Sequence, residues 1–169
     1  MKPAEHIDVD LGAQRLTLHV PGLSPRIYRV STALAGAGER SGSMRTPRGR
    51  HVVRAKIGAG LPPGAVLVGR RPTGEIWSPA LGRAQPDRDW ILSRVLWLSG
   101  LEPGRNRLGE VDTMRRYIYI HGTPEEESLG SARSHGCIRM SNIDVIDLFD
   151  RVPPGTEVLI HEGGEASSP

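Results

Sequence analysis

Residues 121–142, HGTPEEESLGSARSHGCIRMSN, concentrate the side chains of this chain that can do covalent chemistry. They include Cys137, the only cysteine among 169 residues, and His121 and His135, two of the six histidines. A thiol becomes a useful nucleophile near neutral pH only beside a base or a positive charge. His121 ends the alternating segment RYIYI (116–120), which reads as a strand and would hold an imidazole rigidly. Cys137 follows, just ahead of a segment with a helical period. The start of a helix lowers a thiol's pKa and offers free N–H groups to an oxyanion. Gly136 lets the backbone approach a substrate carbonyl closely. Base, thiol and oxyanion donors can therefore meet in one place.

Two plainer readings compete. A lone cysteine is often a small buried apolar residue, but the flanks in SHGCIR are poor core composition. His121, His135 and Cys137 could also supply three zinc ligands, with water in the fourth place. The signal for that is weak, because residues two apart on a strand point the same way by default. The only other candidate ligands nearby are Glu125 to Glu127.

The remaining elements must position these groups. Ile7, Val9 and Leu11 alternate with Asp8 and Asp10, and Leu16, Leu18 and Val20 alternate with Thr17 and His19, around a Gly12-Ala13 turn. This predicts a hairpin. Further strands are expected at 26–33, 49–57, 66–68, 75–77, 90–98 and 157–160, with a flexible loop over 35–46. The GAGERSG part of that loop lacks the Gly-Lys-Ser/Thr ending of a phosphate loop. Ser141 is a candidate N-cap for NIDVIDLFDRV. Ile143, Ile146 and Phe149 share one face of that helix, with Val145, Leu148 and Val152 alongside; Pro153-Pro154-Gly155 ends it. Trp77, Trp90 and Trp97 fall in apolar runs and read as core or groove wall. The expectation is one mostly β domain over 1–162 with one or two helices, and a polar, disordered tail over 163–169.

Composition narrows the function classes. No apolar run approaches the roughly 20 residues of a membrane-spanning helix. The net charge is only +3, from 20 Arg and 2 Lys against 19 acids, and the Arg residues are scattered. That distribution favours a solvated surface over a nucleic-acid face. Glu5, Asp8, Asp10 and Arg15 interrupt every candidate signal sequence near Met1. A cytoplasmic protein is expected if Met1 is the authentic start, and a periplasmic or wall-located one if an export signal was removed.

The string SHGCIRM with an upstream His-Gly resembles the signature of the L,D-transpeptidase catalytic domain (YkuD-type). IDVDLGAQRLTLH resembles that domain's opening hairpin, and VSTA followed by TPRGR resembles its early strand and Thr-Pro-x-Gly turn. The resemblance runs from about Ile7 to Ile160 and implies a β-sandwich-like fold. It also implies that Cys137 is the nucleophile, His121 its base and the Gly122 carbonyl the group orienting the imidazole. Ser134, His135, Gly136 and Arg139 would form the oxyanion and substrate site, with Arg139 holding a substrate carboxylate. The alternative for Arg139 is an ion pair with Asp144 or Glu127. No metal and no cofactor are implied.

The implied substrate is a peptidoglycan tetrapeptide stem, in the wall or as a soluble muropeptide. The bond cut joins the L-centre of the third residue, usually diaminopimelate, to the terminal D-Ala. A thioester acyl-enzyme would pass to water or to an amine, and the lack of a signal sequence favours water, in muropeptide recycling. Carbapenem β-lactams are expected to acylate the thiol. An inactive peptidoglycan-binding module is the remaining alternative.

Overall fold

The computed structural model describes residues 5–163. Ten strands form a single curled sheet with two α-helices. The strands are β1 His6–Asp10, β2 Arg15–His19, β3 Arg26–Arg29, β4 Gly49–Ile57, β5 Ala65–Val68, β6 Arg71–Ile76, β7 Ile91–Gly100, β8 Tyr119–Gly122, β9 Ile138–Met140 and β10 Glu157–His161. The helices are α1 Pro79–Ala84 and α2 Asn142–Arg151. The sheet order is β3-β2-β1-β10-β4-β7-β5-β6, with β8 on the other edge of β7 and β9 beyond β8. The pairs β1–β10 and β8–β9 are parallel; the other pairs are antiparallel.

The β1–β2 hairpin follows its alternation: Ile7, Val9, Leu16 and Leu18 are fully buried. They join Leu96, Leu98, Ile120, Ile138 and Met140, so the main core lies between the two ends of the curled sheet. Helix α2 closes this core against β7 and β8. The Ser141 hydroxyl accepts the Asp144 N–H at 3.1 Å, a cap of the kind worth about 1 kcal/mol. Val145, Leu148, Phe149 and Val152 face the core. Ile143, expected on the buried face, is instead 79% exposed; it lies in the first turn, beyond the edge of the packed stripe.

Other boundaries also move. The strand expected over 116–120 begins at Tyr119 and continues through His121 to Gly122. Residues 113–118 turn helically instead: the Arg116 N–H reaches the Asp112 and Thr113 carbonyls, and Tyr117 has φ 57°. Strand β3 stops at Arg29, yet residues 30–34 stay pinned by backbone bonds to 130–139. The expected flexible loop 35–46 is held at both ends, because Thr46 and Gly36 pair and Arg116 reaches the carbonyls of Gly38, Glu39 and Arg45. Helix α1 was not expected, although Ser78 caps it at 3.1 Å and Pro79 starts it. The expected tail, apart from Gly163, lies outside the described residues. Among the described residues, no helix is long and apolar enough to cross a membrane.

Candidate active site

The β8–β9 pair places the chemistry. Ile120 opposes Ile138 and both point into the core. Side chains alternate across a strand, so Tyr119 and His121 on β8, with Cys137 and Arg139 of the other chain segment, share the opposite face. His121 lies directly opposite Arg139. These residues border a cleft of about 490 Å³ that also reaches Arg70, Asp89 and His135.

Three anchors hold the segment carrying Cys137. The Ser134 hydroxyl donates to the Cys137 carbonyl at 2.6 Å and accepts the Gly136 N–H at 3.2 Å. Thr46, fully buried, donates its hydroxyl to the Gly136 carbonyl at 2.9 Å and accepts the Ala33 N–H at 3.0 Å. Gly136 has φ 133°, and a Cβ there would lie 3.2 Å from Ile118 and 3.3 Å from the Arg45 carbonyl. Backbone conformation and space both select glycine.

The thiol is half-buried. The Tyr119 N–H donates to Sγ at 3.3 Å, and the S–H can donate to the Tyr117 carbonyl at 3.3 Å. Beneath it pack Leu67, Val95, Tyr119 and Trp97. Burial pushes the Cys137 thiol up to about 11, against the opposing pull of the Tyr119 N–H. This corrects the expectation of a thiol activated by a helix start. Strand β9 follows Cys137, and α2 begins only at Asn142, beyond the reach of its dipole. The resting thiol is protonated at neutral pH.

His121 is buried, and burial holds its imidazole below the ordinary range, partly offset by a bond to the Gly122 carbonyl. That bond, Nδ1 to O at 2.8 Å, makes Nδ1 the protonated nitrogen and leaves Nε2 as an acceptor. Such an imidazole is neutral and suited to taking a proton.

Gly122 sits where a side chain has no room. A Cβ would fall 2.6 Å from both the Leu92 carbonyl and Asn142 Oδ1. Here β7 bulges between Leu92 and Val95, with Ser93 at φ 72° donating to Asn142 Oδ1 at 2.6 Å. Asn142 in turn donates to the Thr123 carbonyl at 3.1 Å. We expect Gly122→Ala to destabilise the protein by about 1–3 kcal/mol, as overpacking does, and to lower activity further by moving the carbonyl that orients His121. Thermal melts alongside kcat/KM measure the two effects.

Arg139 is 10% exposed at its side chain and pairs with Glu125 at 2.9 Å and Asp89 at 3.3 Å. These are not the partners expected, Asp144 and Glu127. Asp89 reaches it from the loop after α1, far away in sequence. His135 is exposed at the junction with a second trough of about 600 Å³ bordered by Trp77, Trp90 and Glu125. The zinc set does not converge: among the described residues no three His, Cys, Asp or Glu side chains are grouped to hold a metal. Nothing in the sequence marked Ser93 or Asp89, while Asn142 and Thr46 stood out only as parts of NIDVIDLFDRV and TPRGR.

The comparisons with known proteins show the family and the fold. Residues 4–160 match the family model of the L,D-transpeptidase catalytic domain. The putative L,D-transpeptidase YqjB of Bacillus subtilis is 58% identical over 45 residues, 27% of this chain and 26% of that protein. The probable L,D-transpeptidase YbiS of Escherichia coli is 46% identical over 43 residues, 25% of this chain and 14% of that protein. The matched segments thus span about a quarter or less of these relatives. L,D-transpeptidase 3 of Mycobacterium tuberculosis, solved with a faropenem-derived adduct, has a TM-score of 0.57 at 18% identity, covering 95% of this chain and 61% of that one. An L,D-transpeptidase from Mycobacterium smegmatis gives 0.55 at 21%, covering 94% and 58%. These structural likenesses show a shared fold, and the family match extends over nearly the whole chain: it belongs to the L,D-transpeptidase catalytic-domain family.

Proposed function

We propose that this protein is a cysteine acyltransferase acting on peptidoglycan tetrapeptide stems. The observation that carries this reading is the face shared by β8 and the segment leading into β9, which brings Cys137 and a neutral, carbonyl-oriented His121 to one open cleft. Nε2 of His121 takes the thiol proton as Sγ attacks the carbonyl of the third stem residue. The backbone N–H groups of His135 and Cys137 are the donors for the developing oxyanion, since the Gly136 N–H is engaged by Ser134. The imidazolium then protonates the departing D-Ala nitrogen, and the acyl group remains on sulfur as a thioester. Water releases a tripeptide; an amine gives a 3-3 crosslink or an exchanged D-amino acid. The second trough, which meets the first at Asp89, His135 and Arg139, gives an acceptor amine room to enter. It supports transfer alongside hydrolysis.

Mass analysis of products from a disaccharide tetrapeptide, with and without added D-amino acid, tests the reading. Loss of D-Ala alone marks hydrolysis, and replacement of D-Ala marks transfer. An unchanged tetrapeptide in both reactions contradicts the proposal.

Two further outcomes are expected. A carbapenem presents a strained carbonyl to the same thiol, so incubation should add its mass once to the protein and not to Cys137→Ala; intact-mass spectrometry reads this directly. Arg139→Ala should lower kcat/KM for the free tetrapeptide roughly 10- to 100-fold, the worth of a charge-assisted pair, and Arg139→Lys should recover only part. If Arg139→Ala lowers thermal stability but leaves kcat/KM unchanged, its pairing with Asp89 and Glu125 is its whole role.

A further inference from the structure

Three arginines border the catalytic cleft, and they differ in what already occupies them. Arg116 is committed to the carbonyls of Gly38, Glu39 and Arg45. Arg139 carries two carboxylate partners within the protein, Glu125 and Asp89. Arg70 has no carboxylate partner among the described residues. Its guanidinium lies over Trp97 at 4.5 Å and Tyr117 at 5.1 Å, and Nη1 donates to the Tyr119 hydroxyl at 3.0 Å. Two aromatic faces and one phenol fix its plane, and no acid neutralises it.

Its backbone adds a second observation. Val68 pairs with Arg71, so Gly69-Arg70 is a two-residue hairpin turn. Both residues have positive φ, 55° and 63°. Such turns favour Asn, Asp or Gly at these positions. Here an arginine occupies one of them and projects into the cleft. Across the cleft mouth Tyr117, the residue whose carbonyl faces the Cys137 thiol, also has left-handed backbone, at φ 57°. Two side chains held in a sparsely populated conformation thus meet beside the nucleophile, a pattern that points to function.

The strand direction says which part of a substrate meets Arg70. Along the β8–β9 face, Tyr119 and Cys137 lie at one end and His121 and Arg139 at the other. The group leaving as an amine must lie on the His121 side. The acyl portion then extends toward Tyr119 and Arg70. We propose that Arg70 is a specificity-determining residue that binds a free carboxylate on the side chain of the residue contributing the reacting carbonyl. For a diaminopimelate stem this is the side-chain carboxylate. The assignment rests on the proposed stem-peptide function and deepens it: the enzyme selects the free acid over its amide and over lysine at that position. A planar guanidinium held by two rings offers its remaining N–H pair as a preformed fork.

The test separates binding from turnover. Calorimetry measures binding of a diaminopimelate tetrapeptide, its side-chain amide and the lysine counterpart to the Cys137→Ala protein, with and without Arg70→Gln or Arg70→Lys. We expect the free acid to bind at least about 10-fold more tightly than the amide or the lysine peptide. Arg70→Gln should abolish that preference while changing amide binding less than about 2-fold, and Arg70→Lys should restore only part of it. The proposal is overturned if Cys137→Ala binds acid and amide equally or binds neither. It is also overturned if Arg70→Gln weakens both alike, as a purely structural clamp would, or if Arg70→Lys restores full selectivity. Thermal melts report folding; should Arg70→Gln not fold, the lysine variant decides by the same criterion. Failure of the parent reading looks different: the unmutated protein would bind the acid selectively yet release no D-Ala.

Discussion

Cys137→Ala should lose stem-peptide turnover by at least about 10⁴-fold, the scale on which acyl transfer falls when its nucleophile is removed, while keeping its fold. The side chain is small and half-buried at the cleft floor, so its loss leaves the main core between the sheet ends untouched. Cys137→Ser should fare little better. The pocket that raises the thiol to about 11 acts on a hydroxyl that is already far less acidic. Steady-state release of D-Ala, beside circular dichroism and a thermal melt, checks both halves. Substantial activity in the alanine variant would remove Cys137 from the mechanism.

The second large effect belongs to His121. Replacing it with Gln should lower kcat/KM by about 10²–10⁴-fold, the usual contribution of general acid–base catalysis. The pH profile follows from the direction of the two shifts. Burial holds the His121 imidazole below its ordinary range, so it stays a neutral base at neutral pH and loses activity only when acid protonates it. The thiol, pushed up to about 11, keeps its proton across the neutral range and supplies it through His121 to the leaving amine. Activity should therefore rise through an acid limb below the ordinary histidine value of about 6.5. It should then hold a broad plateau and fall only near the thiol's value. A profile of kcat/KM from pH 4 to 11 measures this. A preformed thiolate–imidazolium pair would instead give a narrow bell, with an alkaline limb at the imidazolium's pKa.

Periodic features were legible in the sequence, and long-range partners were not. The β1–β2 hairpin showed in strict alternation, because one face of each strand must be buried. The α2 cap at Ser141 showed because the hydroxyl and the free N–H are close in the chain. His121 and Cys137 stood out by residue type, and Gly122 and Ser134 through the resemblance; the structure places His121 and Gly122 on β8 and Ser134 and Cys137 just ahead of β9. The setting of the thiol was misread: SHGCIRM looked continuous with the helix, but three residues of strand β9 intervene. RYIYI alternates well enough to be strand from its first residue, yet the Arg116 bonds to the 38–45 loop and the positive φ of Tyr117 turn its first half out of the sheet. Asp89 joins Arg139 across 50 residues, and Arg70 reaches Tyr119 across 49. No local pattern encodes such contacts, since they depend on how the strands are ordered.

The proposed mechanism requires a covalent bond between Cys137 and the acyl part of the donor. Rapid-quench intact-mass spectrometry with a diaminopimelate tetrapeptide detects it. The expected result is a transient species heavier by the tetrapeptide minus D-Ala, mapped by digestion to Cys137, formed together with the first equivalent of D-Ala and absent from Cys137→Ala. Release of D-Ala by Cys137→Ala at an undiminished rate, or an adduct mapped to any other residue, would contradict it.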